Sequence, residues 1–350
     1  MNMSTRRPRG RVATAPTVLP RRRFLAAGAA LALAVTALPA CSVEGGGSSG
    51  GDGGDYPSRA VEFTVPTEPG GSTDTITRAL AKSIEKPLGA QAVVVNKPGA
   101  NGKIAGKDVF SGKPDGYRVA VMPQSLFAIG PLMVKDPDAV KLEDMTFVKG
   151  LTVEDFVLVV PKDSKARTLK DLVESGDVRY GTTGAGTGSQ LAQALLFGLA
   201  KVRATAVPFD GGAPLASALL GRKVDAGALH PADAVKHIEA GNLRPLAVFG
   251  SRRSQALPDV PTATESGYKI VVDQRRFVAA PAGLPAAVRD KLAEAIDKAV
   301  ASPEYGQVLQ RNHIGRWDAG GDEVGRQLTK SRDDFAAMTK TLGIDLTGQR

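Results

Sequence analysis

The chain has 350 residues, which is enough for two domains and a sizeable hydrophobic core. Its formal net charge is +9, but residues 1–40 contain seven arginines and no acidic residue, so the rest of the chain holds 38 basic and 36 acidic residues. This near balance, together with only 5% aromatic residues that could stack on bases, argues against nucleic-acid binding.

The first forty residues have the parts of an export signal. Three arginines at 21–23 precede an apolar run over 24–37, and the stretch RRRFL resembles a twin-arginine consensus. The apolar run is too short to span a bilayer comfortably. The segment ends in LPAC, which resembles a lipobox and predicts lipidation of Cys41.

The residues around Cys41 indicate where the mature protein is located. Cys41 is the only cysteine, so a disulfide within the chain is impossible. The Gly/Ser/Asp-rich tract at 41–55 has the composition of a flexible tether. We therefore expect removal of residues 1–40 and an extracytoplasmic protein, either lipid-anchored to the outer face of the cell membrane or periplasmic.

After Tyr56, short apolar runs alternate with helical stretches, which predicts an α/β fold. The run VEFTV predicts a strand, and apolar residues at every fourth position over 76–88 predict the helix that follows. AVVVN, YRVAVMP and DFVLVVPKD predict further strands. VRYGTTGAGTGSQLAQALLFGLA repeats the opening order of strand, glycine-rich loop and helix. ATAVPF, VDAGAL and LRPLAVFG predict three more strands, and a stripe at 288, 292, 296 and 300 predicts a late helix.

Two strand–glycine loop–helix units in separate halves predict two lobes that face each other. Ligands of open α/β sheets bind beyond the carboxyl ends of the strands. Each loop also leads into a helix N-terminus, where free N–H groups and the helix dipole favour an anion. The candidate binding residues in these loops are Gly70, Gly71, Ser72, Thr73, Thr187, Gly188 and Ser189. The alternative is that both loops are tight turns with capping residues.

Four other residues are candidates because of their position in the pattern. Asp74 either caps the first helix and shapes the loop, or contacts a donor group of the ligand. Gln124 and Ser125 follow the third strand and could line the first-lobe wall. His230 follows the strand VDAGAL, so it either reaches the cleft or begins a turn before Pro231.

Six segments of the mature chain together resemble one known family. YPSRAVEFTVPTEPGGSTD, NKPGANGKIAGKDVFSGKPDGY, YGTTGAGTGSQLA, VPFDGGAPLASALLGRKVDA, AGNLRPLAV and ALPDVPTATESGY resemble, in this order, the Bug-type extracytoplasmic receptors of tripartite tricarboxylate transporters. The resemblance implies a two-lobed fold of the type II periplasmic-binding-protein kind, closing over a small organic acid. It also implies two membrane-embedded partner subunits that carry out the transport.

The resemblance extends to individual positions. It implies a first-lobe anion loop from Thr67 to Asp74, a second-lobe loop from Thr182 to Ser189, and a cleft-edge segment PFDGG that contains Asp210. Arg276 matches an arginine found in many members, and we expect it to bind a second anionic group of the ligand. Glu68 and Asp210 depart from the family pattern by adding acidic groups, which leaves the identity of the ligand open.

The expected domain limits follow from the strand order and the same resemblance. We expect a first lobe of residues 56–160 and 277–350, a second lobe of residues 161–276, and a hinge made by the two chain crossings.

Two alternative functions would involve the same residues. GTTGAGTG follows a strand and opens a helix, as in a dinucleotide-binding enzyme, but Ser189 stands where the third glycine of that pattern belongs. A receptor that feeds a sensor kinase would need the same site as a transport receptor. Ser189 is also not a hydrolase nucleophile elbow, because Leu191 replaces the second glycine. No Cys, His or acidic spacing suggests a structural zinc site. Because the dinucleotide and nucleophile patterns are both broken, we expect neither an enzyme nor a cofactor.

Overall fold

The computed structural model describes residues 56–133 and 136–344, so the expected signal, the tether and Cys41 lie outside the described residues. Six strands form a first sheet: β1 (Val61–Val65), β2 (Ala92–Asn96), β3 (Arg118–Pro123), β4 (Met145–Asp155), β10 (Asp273–Pro281) and β11 (Gly315–Arg316). Their spatial order is β11-β4-β10-β3-β1-β2. Strand β1 pairs in parallel with β2 and β3, whereas β10 runs antiparallel to β3 and β4.

Five strands form a second sheet: β5 (Val157–Pro161), β6 (Val178–Thr182), β7 (Ala204–Pro208), β8 (Ala226–Leu229) and β9 (Leu243–Val248). Their order is β7-β6-β8-β5-β9, with β6 parallel to β7 and β8, and β5 antiparallel to β8 and β9. An α/β fold built on two sheets, as the sequence predicts, is therefore confirmed.

Helices surround both sheets. Their bounds are α1 (Ser72–Leu88), α2 (Lys103–Phe110), α3 (Ser125–Ala128), α4 (Gly130–Met133), α5 (Leu169–Val173), α6 (Gly188–Leu199), α7 (Gly212–Leu220), α8 (Pro231–Glu239), α9 (Ala286–Val300), α10 (Pro303–Arg311) and α11 (Gly321–Thr341). Within the described residues, no helix is long and apolar enough to cross a membrane.

The chain crosses from the first sheet to the second at Phe156, between β4 and β5, and returns between β9 and β10. The expected lobe limits, at 160/161 and 276/277, fall inside β5 and β10. We therefore propose limits at the crossings themselves. Lobe I then denotes the described residues of 56–155 and 273–344, and lobe II denotes residues 156–272.

The predicted apolar stripes form the core of lobe I. Residues 76, 80, 84 and 88 of α1 are all buried and share one hydrophobic cluster with residues 288, 292, 296 and 300 of α9. Gly89 ends α1 in the left-handed conformation, with φ of 77° and its N–H bonded to the Glu85 carbonyl. A glycine adopts this φ without steric cost, which is why it commonly follows the last helical residue.

Two segments of lobe I also pack into the core of lobe II, and one of them is α11, through Phe335. Ala128, Ile129 and Met133, from the α3–α4 segment, belong to the cluster that contains Leu191 and Leu195 of α6. Hydrophobic packing therefore continues across the two sheets, and it brings the α3–α4 segment close to the loop before α6.

Candidate functional site

The two glycine-rich loops lie at the carboxyl ends of parallel strands, one in each sheet. The first joins β1 to α1, and the second joins β6 to α6. Gly70 has φ of 87°, and Gly184 and Gly186 have φ of 144° and 72°. Residues with a Cβ rarely adopt these φ angles, so the glycines allow the backbone of each loop to turn sharply into its helix. The first N–H groups of α1 and α6 have no partner inside their helices.

Contacts between the lobes bring the two loops to one region. The side-chain amide of Asn101, in lobe I, donates to the Gly186 carbonyl of the second loop at 2.9 Å. A Cβ on Gly186 would lie 3.4 Å from the Cα of Gly130, which also belongs to lobe I. Within lobe II, the ring of His230 at the end of β8 packs on Phe156 at the first chain crossing, with the ring centroids 4.5 Å apart. The carboxyl ends of both sheets therefore face a common interface.

Asp74 organises the first loop. Its carboxylate accepts hydrogen bonds at 2.9 Å from the Gly70 N–H, from Nε of Arg78 and from Nδ2 of Asn96. Burial acts to raise the pKa of Asp74, but the hydrogen bonds from Arg78, Gly70 and Asn96 outweigh it and hold the pKa below its ordinary value. These contacts favour the loop-shaping interpretation of Asp74, and they occupy the N–H of Gly70.

A buried ion pair lies beneath the start of α1. The Arg276 guanidinium pairs with Glu154 through Nη1, and its Nε donates to Oγ1 of Thr73 at 2.8 Å. The hydroxyl of Ser72 donates to Oε2 of Glu154 at 3.1 Å. Burial acts to raise the pKa of Glu154, but the positive charge of Arg276 holds it below its ordinary value. The charge of Arg276 is thus compensated within the protein.

Sequence reasoning missed Glu154. It lies in β4, where the apolar pattern is interrupted, and is only 2% exposed. An acidic residue near the end of a strand next to a polar cluster could have been a signal, since carboxylates are rarely buried without a partner.

The second loop uses its own hydroxyl groups. Ser189 is fully buried, and its Oγ donates to the Ala228 carbonyl at 2.7 Å and accepts from the Thr183 N–H at 3.2 Å. Oγ1 of Thr187 donates to the Gly184 carbonyl at 2.8 Å. These side chains shape the loop, which leaves the backbone N–H groups at the start of α6 as its donors.

Gly188 begins α6 in close contact with the first chain crossing. A Cβ at this position would lie 2.5 Å from Cε2 of Phe156. Real Cβ atoms do not come this close to other atoms, so the absence of a side chain lets α6 start directly against the crossing.

Several buried polar atoms near the loops have no hydrogen-bond partner among the described residues: Oγ1 of Thr67, Oε1 of Gln124, Oγ1 of Thr152 and Nδ1 of His230. The backbone of Gln124 is occupied, since its N–H donates to the Arg275 carbonyl at 2.9 Å. Ser125 donates to Oδ1 of Asn101 at 3.3 Å. Unpaired buried polar atoms are costly, so groups like these mark where water or a ligand is bound.

Two carboxylates lie on the lobe II side. Asp233, in the first turn of α8, packs so closely on Gly212 that a Cβ there would overlap its Oδ2. Burial raises the pKa of Asp233, and burial likewise lowers the pKa of His230 against the opposing effect of Glu154. His230 lies at the N-terminus of α8 and packs on Phe156. Asp210, which follows β7, is exposed.

No group of three or more His, Cys, Asp or Glu residues able to hold a metal occurs in the described part of the chain. A groove of about 520 Å³ on lobe I, lined by residues that include Phe110, Val140 and Pro281, contains none of the residues of this site.

Comparison with known proteins identifies the family. The model of the tripartite tricarboxylate transporter family receptor, TctC, matches residues 76–343. The chain belongs to this family. It is 32% identical over 333 residues to the UPF0065 protein in the gbd 5' region of Cupriavidus necator, covering 93% of this chain and 98% of that protein. It is 30% identical to protein BugT of Bordetella pertussis, covering 78% and 91%. The resemblance seen in the sequence is confirmed.

Solved structures agree with this assignment. The periplasmic binding protein BugD superposes with a TM-score of 0.75 at 28% identity, covering 83% of this chain and 99% of its own. Rpa4515 of R. palustris with adipate gives 0.77 at 25% identity and the same coverage. MatC from Rhodopseudomonas palustris with bound malate gives 0.73 at 26% identity, covering 81% and 99%. The periplasmic-binding-protein-like fold is confirmed, and the family is one of extracytoplasmic solute receptors, not of enzymes.

Proposed function

We propose that this chain is a solute-binding lipoprotein that captures a small organic carboxylate between its lobes and delivers it to a tripartite tricarboxylate transporter. The observation that carries the proposal is the pair of glycine-rich strand-to-helix loops, one at the carboxyl end of a parallel strand in each sheet. Each supplies a helix N-terminus, where N–H groups and the dipole favour a carboxylate.

The expected ligand contacts are the hydrogen-bond donors of the two loops that have no partner within the protein. The hydroxyls of Thr187 and Ser189 and the N–H of Gly70 already have partners within the protein. We therefore assign carboxylate binding chiefly to the first backbone N–H groups of α1 and α6. The unpaired Thr67 and Gln124 oxygens would accept hydrogen bonds from a water molecule or from a hydroxyl group of the ligand.

A thermal-shift screen of mono-, di- and tricarboxylates tests this function. Adipate and malate come first, because relatives that are 25% and 26% identical are known with these acids bound. A ligand at a hundred times its dissociation constant adds about 2.7 kcal/mol of stability. For a protein of this size that corresponds to a rise in Tm of about 5–10 °C.

A glycine variant ties the shift to the first loop. Gly71→Val should abolish the shift while leaving the fold intact, because φ is −71° there and the nearest atom to an added Cβ is 3.4 Å away. Gly306→Val, on α10 with open space around the added Cβ, is the matched control and should keep the shift. If a nicotinamide cofactor raises the Tm and no acid does, the result would instead support an exported dinucleotide-binding oxidoreductase, the enzyme alternative suggested by GTTGAGTG.

Anchoring and partnership need separate tests. Intact-mass measurement on membrane-extracted protein should show an N-terminus at Cys41 with added acyl groups, and Cys41→Ser should release the protein from the membrane. Chemical cross-linking in cells should capture two membrane-embedded subunits. Capture of a sensor kinase in their place would favour the sensing role.

A further inference from the structure

A short segment of lobe I has an unusual backbone. Four consecutive residues have positive φ: Gly99 at 123°, Ala100 at 48°, Asn101 at 51° and Gly102 at 99°. Glycine adopts such angles freely, but the left-handed conformation is sterically unfavourable for residues with a Cβ. Conformations of this kind persist where surrounding contacts hold them, and they concentrate at functional sites.

The side chain of Asn101 makes the contact that this backbone permits. Its Nδ2 donates to the Gly186 carbonyl of lobe II at 2.9 Å, and its Oδ1 accepts from Oγ of Ser125 at 3.3 Å. The opposite amide orientation would place two oxygens against each other at Gly186. The network therefore defines which atom of the amide faces lobe II.

The hydrogen bond between Asn101 and Gly186 connects the two lobes. Among the hydrogen bonds and salt bridges between residues 56–133 and 136–344, it is the one that joins lobe I to lobe II. Its acceptor, Gly186, lies in the middle of the second ligand loop, two residues before the start of α6. Any separation of the lobes that moves this loop away from Asn101 must break it.

We propose that Asn101 is a positioning residue that latches the lobes in the closed arrangement and holds the second loop against lobe I. The inference rests on the proposed function, because it assigns a role within the same ligand site. A hydrogen bond of this kind contributes about 0.5–1.5 kcal/mol net, which corresponds to a change of about two- to tenfold in the ratio of closed to open molecules.

Three variants separate the hydrogen bond from the backbone strain. Asn101→Asp keeps the size of the side chain and its tolerance of the left-handed region, but it presents a carboxylate oxygen to the Gly186 carbonyl. Asn101→Gly removes both the bond and the strain. Ala100→Gly relieves strain at the neighbouring exposed residue and leaves the bond intact, so it is the matched control.

Spin labels on the two lobes measure the closed fraction directly. The full chain carries Cys41→Ser, so that labels at Lys82→Cys on α1 and Lys223→Cys between α7 and β8 are on its only thiols. Both positions are exposed. Pulsed electron resonance on ligand-free protein then gives the distribution of distances between the lobes.

The latch predicts that the closed population falls about two- to tenfold in Asn101→Gly and at least as much in Asn101→Asp. Ala100→Gly should match the parent distribution. Identical distributions in the parent and in Asn101→Asp would overturn the proposal, and so would an equal change in Ala100→Gly. A structural role alone would change Tm without changing the distance distribution. Because no acid is added, the result stands apart from the ligand screen, which would fail separately if the proposed function were wrong.

Discussion

Asp155 lies at the point where the chain leaves the first sheet, and its carboxyl group should make the stability of the protein depend on pH. Burial raises its pKa from 3.8 to about 6, with a smaller contribution from the negative charge of Asp273. The carboxyl group packs against Gly250, where a Cβ would lie 2.5 Å from its Cγ. Within the described residues it accepts no hydrogen bond that would offset the burial.

The sign of the effect follows from proton binding. Between pH 3.8 and about 6 the folded protein holds the Asp155 proton more tightly than the unfolded chain does. The contribution of Asp155 is therefore most favourable below pH 3.8, falls as pH rises through about 6, and is constant above that. The difference between the two pKa values is equivalent to about 3 kcal/mol. Solvent screens part of it, since the group is only half-buried, so we expect about 1–3 kcal/mol.

Asp155→Asn removes this titration and should raise the free energy of unfolding by about 1–3 kcal/mol at pH 8. The difference from the parent should shrink to about half near pH 5 and nearly vanish near pH 4. Urea denaturation of both proteins at these three pH values measures it. Asp259→Asn, at an exposed carboxyl group, controls for the loss of one charge. A difference that stays constant from pH 8 to pH 4 would refute the reasoning.

The remaining predictions concern the buried pair and the first crossing. Arg276→Met should cost about 3–5 kcal/mol in urea denaturation, because Glu154 is left buried without its partner, and adding Glu154→Leu should recover most of that loss. If the double variant is as unstable as the single one, the pair is not the source of the cost. Gly188→Ala should destabilise by about 1–3 kcal/mol through overlap with Phe156. Phe156→Leu in the same chain should restore part of the loss.

The sequence predicts those features of the fold that depend on neighbours along the chain. The stripe of α1 and the two glycine-rich loops follow from local spacing and residue type, and the structure has them at the predicted positions. Strands β3 and β8 are also predicted, because each is buried on both faces and appears as a continuous apolar run.

Strands β4 and β10 are not predicted, and the reason is physical. Both carry charged residues that interrupt the apolar run, among them Glu154 and Arg276. These charges are buried because they neutralise each other, and the partners are 122 positions apart. A pairing over that separation leaves no periodic pattern in either segment. Because β10 is not predicted, the expected limit at 276/277 falls inside it.

Because Arg276 pairs with Glu154, its charge is less available for recognising an acidic ligand. The sequence predicts that Arg276 binds a second anionic group, yet its Nε and Nη1 are directed to Thr73 and Glu154. Placing a compensated guanidinium beneath Ser72 and Thr73 fixes the start of α1 and adds no net charge. Recognition by backbone N–H groups depends on position more than on charge, since each donor is fixed by its helix. Under the proposed function, binding would therefore depend on the internal hydrogen bonds that fix the two loops, such as those of Asp74 and Thr187.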